Sequence, residues 1–374
     1  MDHHIPHHRV ATMGARIAAA AVLAAGVAAG APTVAAELQV AAQSDSMIWN
    51  GVAVAGKRVF VAGPRWTGSR GPALALLDAK GRPQPFPSAA WNAWQPGADA
   101  AQAFVNINAI HLDGQGGLWA VDSGAPAFGG DPLPGGAKAV LIDLKTNRVK
   151  RVYHFGPELA LAGSYVDDIR QHGKYAYLTD AGRPGLIVLD LVSGQGRRVL
   201  DGSPSTTARR DRPIDVDGQI VRGGDGAPLL VNADPFEISP DGRHLYFGPL
   251  AGPWSQIETR LLNDASLDAA SLESAVKPWA DIGPIGGSAM DRQGNLYFTD
   301  LKTNSLMRRT PNGNVSTVLR DDRLHWVDAP VIDQRNRIWL PVPQMDRNAL
   351  FNGGRSKVRW PIMLYTLQLE GGEQ

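Results

Sequence analysis

Six short segments of the chain repeat one order of positions: alternating apolar residues, a turn carrying Gly or Asn, then an apolar–aromatic pair. They are WNGVAVAGKRVFVAG (49–63), NAIHLDGQGGLWAVD (108–122), DDIRQHGKYAYLTD (167–180), DPFEISPDGRHLYFGP (234–249), GGSAMDRQGNLYFTD (286–300) and DAPVIDQRNRIWLPV (328–342). Each predicts a β-hairpin. The aromatic positions Phe60, Trp119, Tyr177, Tyr246, Tyr297 and Trp339 stand 59, 58, 69, 51 and 42 residues apart, room for four short strands and their turns. The second half of the unit is visible at 73–86, 139–155, 185–200 and 305–319, where Gly81, Asn147, Gly194 and Gly313 supply turn positions tolerant of positive φ. Six four-stranded antiparallel sheets set radially make an all-β fold, a six-bladed β-propeller, as one domain over residues 45–370. A β-sandwich has no reason to repeat the signal six times. The six rings are expected to fill the gaps between blades, each burial worth roughly 2–3 kcal/mol. Stretches 87–104, 124–137 and 201–231 read as surface loops, and Asp264 to Val276 as a short helix capped by Asp268 or Ser271.

Ahead of the repeats, residues 14–36 run from Arg16 through an Ala/Val/Leu stretch to Val34-Ala35-Ala36. That is the order of a signal peptide over residues 1–36 with cleavage near Ala36, which predicts a periplasmic or secreted protein; Met13 is an alternative start. No later stretch approaches the ~18 apolar residues of a membrane span. The 374 residues carry 37 Lys plus Arg against 36 Asp plus Glu, so no basic footprint for nucleic acid exists and the expected partner is a small molecule. With no Cys there is no disulfide, Cys-ligated metal or Cys nucleophile, and the nine His form no HExxH pair. By analogy with other isolated propellers, a monomer is expected.

In a propeller the residues just ahead of each innermost strand converge on the central channel. Counting back from the aromatic anchors gives Trp49, Asn50, Asn106, Asn108, Asp167, Asp168, Asp234, Gly287, Ser288 and Asp328, with His325 in reach of the same face. Pooled carboxylates repel unless protonated, hydrogen-bonded or bridged by a hard cation. Three readings stay open: a Ca²⁺- or Mg²⁺-like ion held by Asn50, Asp168 and Asp234; acid–base chemistry by Asp167, Asp168, Asp234 and Asp328; or side chains that only satisfy backbone N–H groups at strand starts.

The string GVAVAGKRVFVAGPRW (51–66), with Pro64-Arg65-Trp66 after the second strand, resembles the first-blade signature of the yellow and major royal jelly protein family. AIHLDGQGGLWAVDSG (109–124), DDIRQHGKYAYLTDAGRPGLIVLDL (167–191), FEISPDGRHLYFGPLAG (236–252) and SAMDRQGNLYFTD (288–300) are similar to it in the same order, so the likeness spans residues 45–368. The resemblance implies a secreted six-bladed propeller with a ligand pocket at the channel; family members include dopachrome-converting enzymes, amine binders and storage proteins. The absence of Cys departs from the insect pattern. A more distant resemblance, to the gluconolactonases, implies a divalent ion held by a Glu, an Asn and an Asp. Here the matching stretches read Trp49-Asn50-Gly51, Asp234-Pro235-Phe236 and Gly286-Gly287-Ser288, without the Glu or the last Asp. The functional expectation is a propeller that binds a small cyclic or aromatic molecule. It tautomerises that molecule with the four aspartates while Trp49, Asn50, Asn106, Asn108, Ser288 and His325 hold it. A metal-dependent lactonase and a non-catalytic scaffold are the alternatives.

Overall fold

The computed structural model describes residues 37–370; the leader expected over residues 1–36 lies outside them. Six four-stranded antiparallel sheets form the blades of a β-propeller. From the channel outward, the first is Gly51–Ala55, Arg58–Ala62, Leu74–Leu77 and Pro83–Pro85, and the second Ile107–Leu112, Gly117–Asp122, Lys138–Asp143 and Arg148–His154. The third is Val166–His172, Tyr175–Asp180, Gly185–Asp190 and Gly196–Val199; the fourth Ala233–Ile238, His244–Pro249, Trp254–Glu258 and Lys277–Ala280. The fifth is Ile285–Met290, Leu296–Asp300, Ser305–Arg309 and Val315–Arg320. The sixth takes three strands from the end of the chain, Val331–Ile332, Arg337–Val342 and Ile362–Gln368, and its outermost from the beginning, Gln39–Ser44. Gln39 to Ser44 pair antiparallel with Thr366 to Ile362, so the ring closes through the two ends of the chain, ahead of the residue 45 at which the repeats were expected to start.

Each junction between neighbouring blades holds its own apolar cluster. Phe60, Ile110 and Val140 meet between the first two blades, Trp119, Ile169 and Leu178 between the next, and Tyr177, Phe236 and Leu245 between the third and fourth. Trp254 with Phe298, Tyr297 with Ile338, and Trp49 with Trp339 and Leu364 complete the circle. Five of the six predicted rings are buried; Tyr246 is half-buried and stacks on Trp279 at 4.2 Å. The helix expected within 264–276 is Ala269–Ala275, with Asp268 accepting from Ser271 N at 2.8 Å as the cap.

The long insertions are better packed than surface loops. In 201–231 a small ribbon, Asp215–Val216 with Gln219–Ile220, buries Ile214, Val216 and Val221 against Tyr165, Trp326 and Met345. In 87–104, Trp94 and Ala100 cluster with Val105.

A buried ion pair fixes how the chain enters the second blade. Asp122, closing the second strand, accepts from Val105 N (2.8 Å), Asn106 N (2.9 Å) and Gly124 N (2.9 Å). Its remaining contact is the Lys138 ammonium at 2.8 Å, which also donates to Ala100 O and Gly136 O; both side chains are wholly buried. Asp180 repeats the device in the third blade, accepting from Ser164 Oγ (2.6 Å), Tyr165 N (2.9 Å) and Arg198 Nη1 (2.7 Å). Removing one partner of such a pair strands the other charge in the core. Lys138→Ala is therefore expected to lower unfolding free energy by about 3–5 kcal/mol in urea titrations; a loss within ~1 kcal/mol would mean that Asp122 is not held by this cation.

Candidate functional site

The innermost strands do not run straight into the channel. In four successive blades the pairing with the second strand slips at one place: between Ile107 and Ala109, Val166 and Ile169, Ala233 and Phe236, and Ile285 and Ser288. The residues inside these bulges are Asn108, Asp167 with Asp168, Asp234 with Pro235, and Gly286 with Gly287. A bulge bends the strand and re-aims its side chains, here towards the axis. Asp328 joins from the turn ahead of the sixth blade's inner strand, and Asn50 from the position ahead of the first. The bulge of the fifth blade offers only backbone, because a Cβ on Gly286 would lie 2.0 Å from Val327 O.

These groups form a floor across the channel with a chamber on each side. The upper chamber is walled by Trp66, Phe128, Tyr165, Trp326, Met345 and Phe351, and roofed by Leu229 and Val231 of the 201–231 insertion. Phe128 lies at its centre, with ring centroids 4.8 Å from Trp66, 5.4 Å from Tyr165 and 5.9 Å from Phe351. The lower chamber is polar and shares Asn108, Asp167, Asp234 and Asp328 with the upper one.

The floor is a connected hydrogen-bond chain. Trp66 Nε1 donates to Tyr165 Oη at 3.0 Å, Tyr165 Oη to Asn108 Oδ1 at 2.9 Å, and Asn50 Nδ2 to the same oxygen at 3.3 Å. Asn108 Nδ2 donates to Asp167 Oδ1, and the Asp167 and Asp234 carboxyls lie within reach of each other's charge. Burial above all, then the charge of Asp234, holds Asp167 well above the usual carboxylate range, and burial pushes Asp234 up to about 7. Because each carboxyl feels the other's charge, these are titration steps of the pair and not of either residue. Burial also raises Asp328, with the charge of Asp234 adding to it, although Ala329 N donates to its Oδ1 at 2.8 Å. Tyr165 is held well above its ordinary 10.0, by burial first and the Asp167 charge second.

Asp168 points away from this pair. It binds Arg170 Nη1 at 2.6 Å, and Arg170 forks onto Glu237 at 3.1 and 3.0 Å, with Ser288 Oγ donating to Glu237 at 2.9 Å. The network borders the lower chamber, with one guanidinium shared between the carboxylates of Asp168 and Glu237. For a divalent ion, Asn50 and Asp234 do face the channel, and Asn50 Oδ1 is buried without a partner. Their expected third ligand, Asp168, is engaged by a guanidinium, and the described residues contain no group of three His, Asp or Glu placed around one point. The donor set does not fit a Ca²⁺- or Mg²⁺-type centre.

Of the eleven residues expected at the channel, Asn50, Asn108, Asp167, Asp234, Asp328 and, from below, Asp168, Gly287 and Ser288 line it. Three do not. Trp49 is core between the first and sixth blades, its Nε1 donating to Met363 O at 3.1 Å. Asn106 is buried, its amide spanning Arg65 N and Ala125 O at 2.8 and 2.9 Å. His325 sits outside the floor between two carboxylates, Nδ1 at 3.0 Å from Asp217 and Nε2 at 2.8 Å from Asp346, and pins the 201–231 insertion over the mouth. The counting rule missed the aromatic wall, because Trp66, Phe128, Trp326 and Phe351 come from connecting segments outside the repeat. Trp66 alone had a signal, the Pro64-Arg65-Trp66 string.

A family model described as major royal jelly protein matches residues 105–370. No curated protein sequence matches the chain. Among solved structures it is similar to a gluconolactonase from Xanthomonas campestris, at 13% identity over 89% of each chain with a TM-score of 0.51. It is also similar to virginiamycin B lyase from Staphylococcus aureus, at 12% identity over 89% of this chain and 99% of that one, TM-score 0.50. A luciferin-regenerating enzyme gives 9% identity, 90% and 96% coverage and a TM-score of 0.50. At these identities the likeness carries the fold alone.

Carboxyls held above their unfolded values favour the folded state while protonated, and that contribution is lost as pH rises through the folded-state step. Half-buried His111, held well below its ordinary 6.5 by loss of solvent first and Arg170 second, opposes this only below pH 6.5. Between pH 6.5 and 8.5 the melting temperature is therefore expected to fall, and Asp234→Asn to melt at least ~2 °C higher than the parent at pH 8.5 with a flatter slope. Equal slopes in calorimetry would show that the pair does not titrate in this range.

Proposed function

The chain belongs to the major royal jelly protein family, and on that premise we propose that it binds a small cyclic or aromatic molecule in the upper chamber and tautomerises it by carboxyl proton transfer. The observation that carries the reading is the Asp167–Asp234 pair, two carboxyls side by side at the foot of an aromatic-walled pocket, both raised by burial. The aromatic wall supplies stacking faces for a flat ligand. The acid floor repels a polyanion and accepts a neutral or cationic one. In the reaction one carboxyl takes a proton from the ligand while the other returns one at a second position. Atoms balance without a co-reactant, and the pair ends with its roles exchanged. Asp328 and Asn108 bound the floor and present polar contacts to ligand heteroatoms. The leader-like residues 14–36 support export to the periplasm or medium, and the protein is proposed to act as a monomer.

One acid and one base coexist only after the pair has lost its first proton, so turnover is expected to rise through about pH 7. The test screens catechols, indoles and amines for thermal stabilisation, then follows uptake of solvent deuterium into whichever compound binds. Asp167→Asn and Asp234→Asn are each expected to slow exchange by ~10²-fold or more while the ligand still raises the melting point. Binding with no exchange in the parent protein would reduce the reading to a binding module. Bound calcium in stoichiometric amount, a melting point lowered by EDTA, and hydrolysis of a lactone would replace it with the metal-dependent lactonase.

A further inference from the structure

The hydrogen-bond chain above the acid pair has a direction, and the direction distinguishes two otherwise similar carboxyls. An indole N–H can only donate. Because Trp66 Nε1 donates to Tyr165 Oη at 3.0 Å, the single phenolic proton is free to go on, and it goes to Asn108 Oδ1 at 2.9 Å. Asn50 Nδ2 donates to the same oxygen at 3.3 Å. With two donors on its oxygen, the Asn108 amide is locked with Nδ2 towards Asp167 Oδ1. No such donor reaches Asp234: among the described residues no N–H or hydroxyl group donates to its side chain, and the following Pro235 has no N–H to offer. A donor facing a carboxyl favours its charged form.

Resting on the acid–base reading above, we infer that Trp66, Tyr165 and Asn108 are positioning residues that make Asp167 the base and Asp234 the acid. In the resting pair Asp167 is the carboxylate, its charge held by the Asn108 donor against the burial and the neighbouring Asp234 that push it up, and Asp234 carries the proton. Asp167 then removes the ligand's proton, and Asp234 delivers its own. Tyr165 and Trp66 also line the upper chamber, so the residues that orient the pair are in contact with whatever enters it.

The experiment needs no ligand. Full-length protein carrying ¹³C-labelled aspartate is titrated, and the carboxyl signals are assigned with Asp167→Asn and Asp234→Asn. In the parent, the Asp167 signal is expected to move through the lower titration step while that of Asp234 stays. In Tyr165→Phe, which frees the Asn108 amide to turn, the Asp167 midpoint is expected to rise by about one pH unit and the Asp234 signal to move in the first step. Phe128→Leu, which alters the same wall without touching the chain of bonds, leaves the order unchanged. Asn108→Ala, which removes the donor itself, replaces Tyr165→Phe if the latter does not fold, with the same expected reversal. The inference is overturned if Asp234 ionises first in the parent, or if Tyr165→Phe leaves Asp167 the sole group to move. A protein with the expected order and no turnover keeps the inference and loses the catalytic reading; the reverse order with turnover does the opposite.

Discussion

The carboxylates of Asp122 and Asp180 carry more of the architecture than any single apolar contact. Each ends the second strand of its blade, folds back to the N–H groups just ahead of the first strand, and is neutralised by a buried cation, Lys138 or Arg198. The segments they hold, 105–106 and 164–165, lead directly into the bulges that carry Asn108 and Asp167. A shift of either anchor would move a floor residue. Burying charge is expensive, so these pairs are best understood as devices of geometry. Lys138 also ties down Ala100 and Gly136, which brings the insertions flanking the second blade into the same constraint.

On that scaffold the channel concentrates groups that fold reluctantly. Asp167 is buried and Asp234 and Asp328 half-buried, all within reach of one another's charge, and the guanidinium of Arg170 is committed to Asp168 and Glu237 on the lower side. The floor thus keeps its acidity unneutralised from below while aromatic side chains exclude water from above. Such an arrangement weakens the fold near neutral pH and serves no packing purpose, which is the usual mark of a functional site.

The repeat was legible because it is written in local terms: hairpin alternation, turn residues and one large ring per blade. Five rings proved to be core, and the ring at Tyr246 lies on Trp279 instead. The acid floor was legible to within a position because the bulges recur at the same depth, yet the count could not tell Asn108 from Asn106. Both are amides two residues apart, and only the slip of register after Ile107 decides which faces the axis. His325 was assigned to the channel on sequence proximity to Asp328, whereas its partners Asp217 and Asp346 come from segments no local pattern connects. The aromatic wall was illegible for the same reason: it is assembled by connecting segments that share no period.

The sixth blade, completed by Gln39–Ser44 lying beside Ile362–Gln368, gives the molecule the topology of a clasped bracelet. Strand order around a bracelet has no intrinsic beginning, and the clasp is simply where the backbone is interrupted. Its position bears on assembly: the first strand among the described residues must wait for the last before its edge is covered, across a loop whose closure costs entropy that grows only slowly with length. Until that moment five blades can pair internally while the channel stays open on one side. The acid floor, which draws a residue from the sixth blade, comes together only when the clasp shuts.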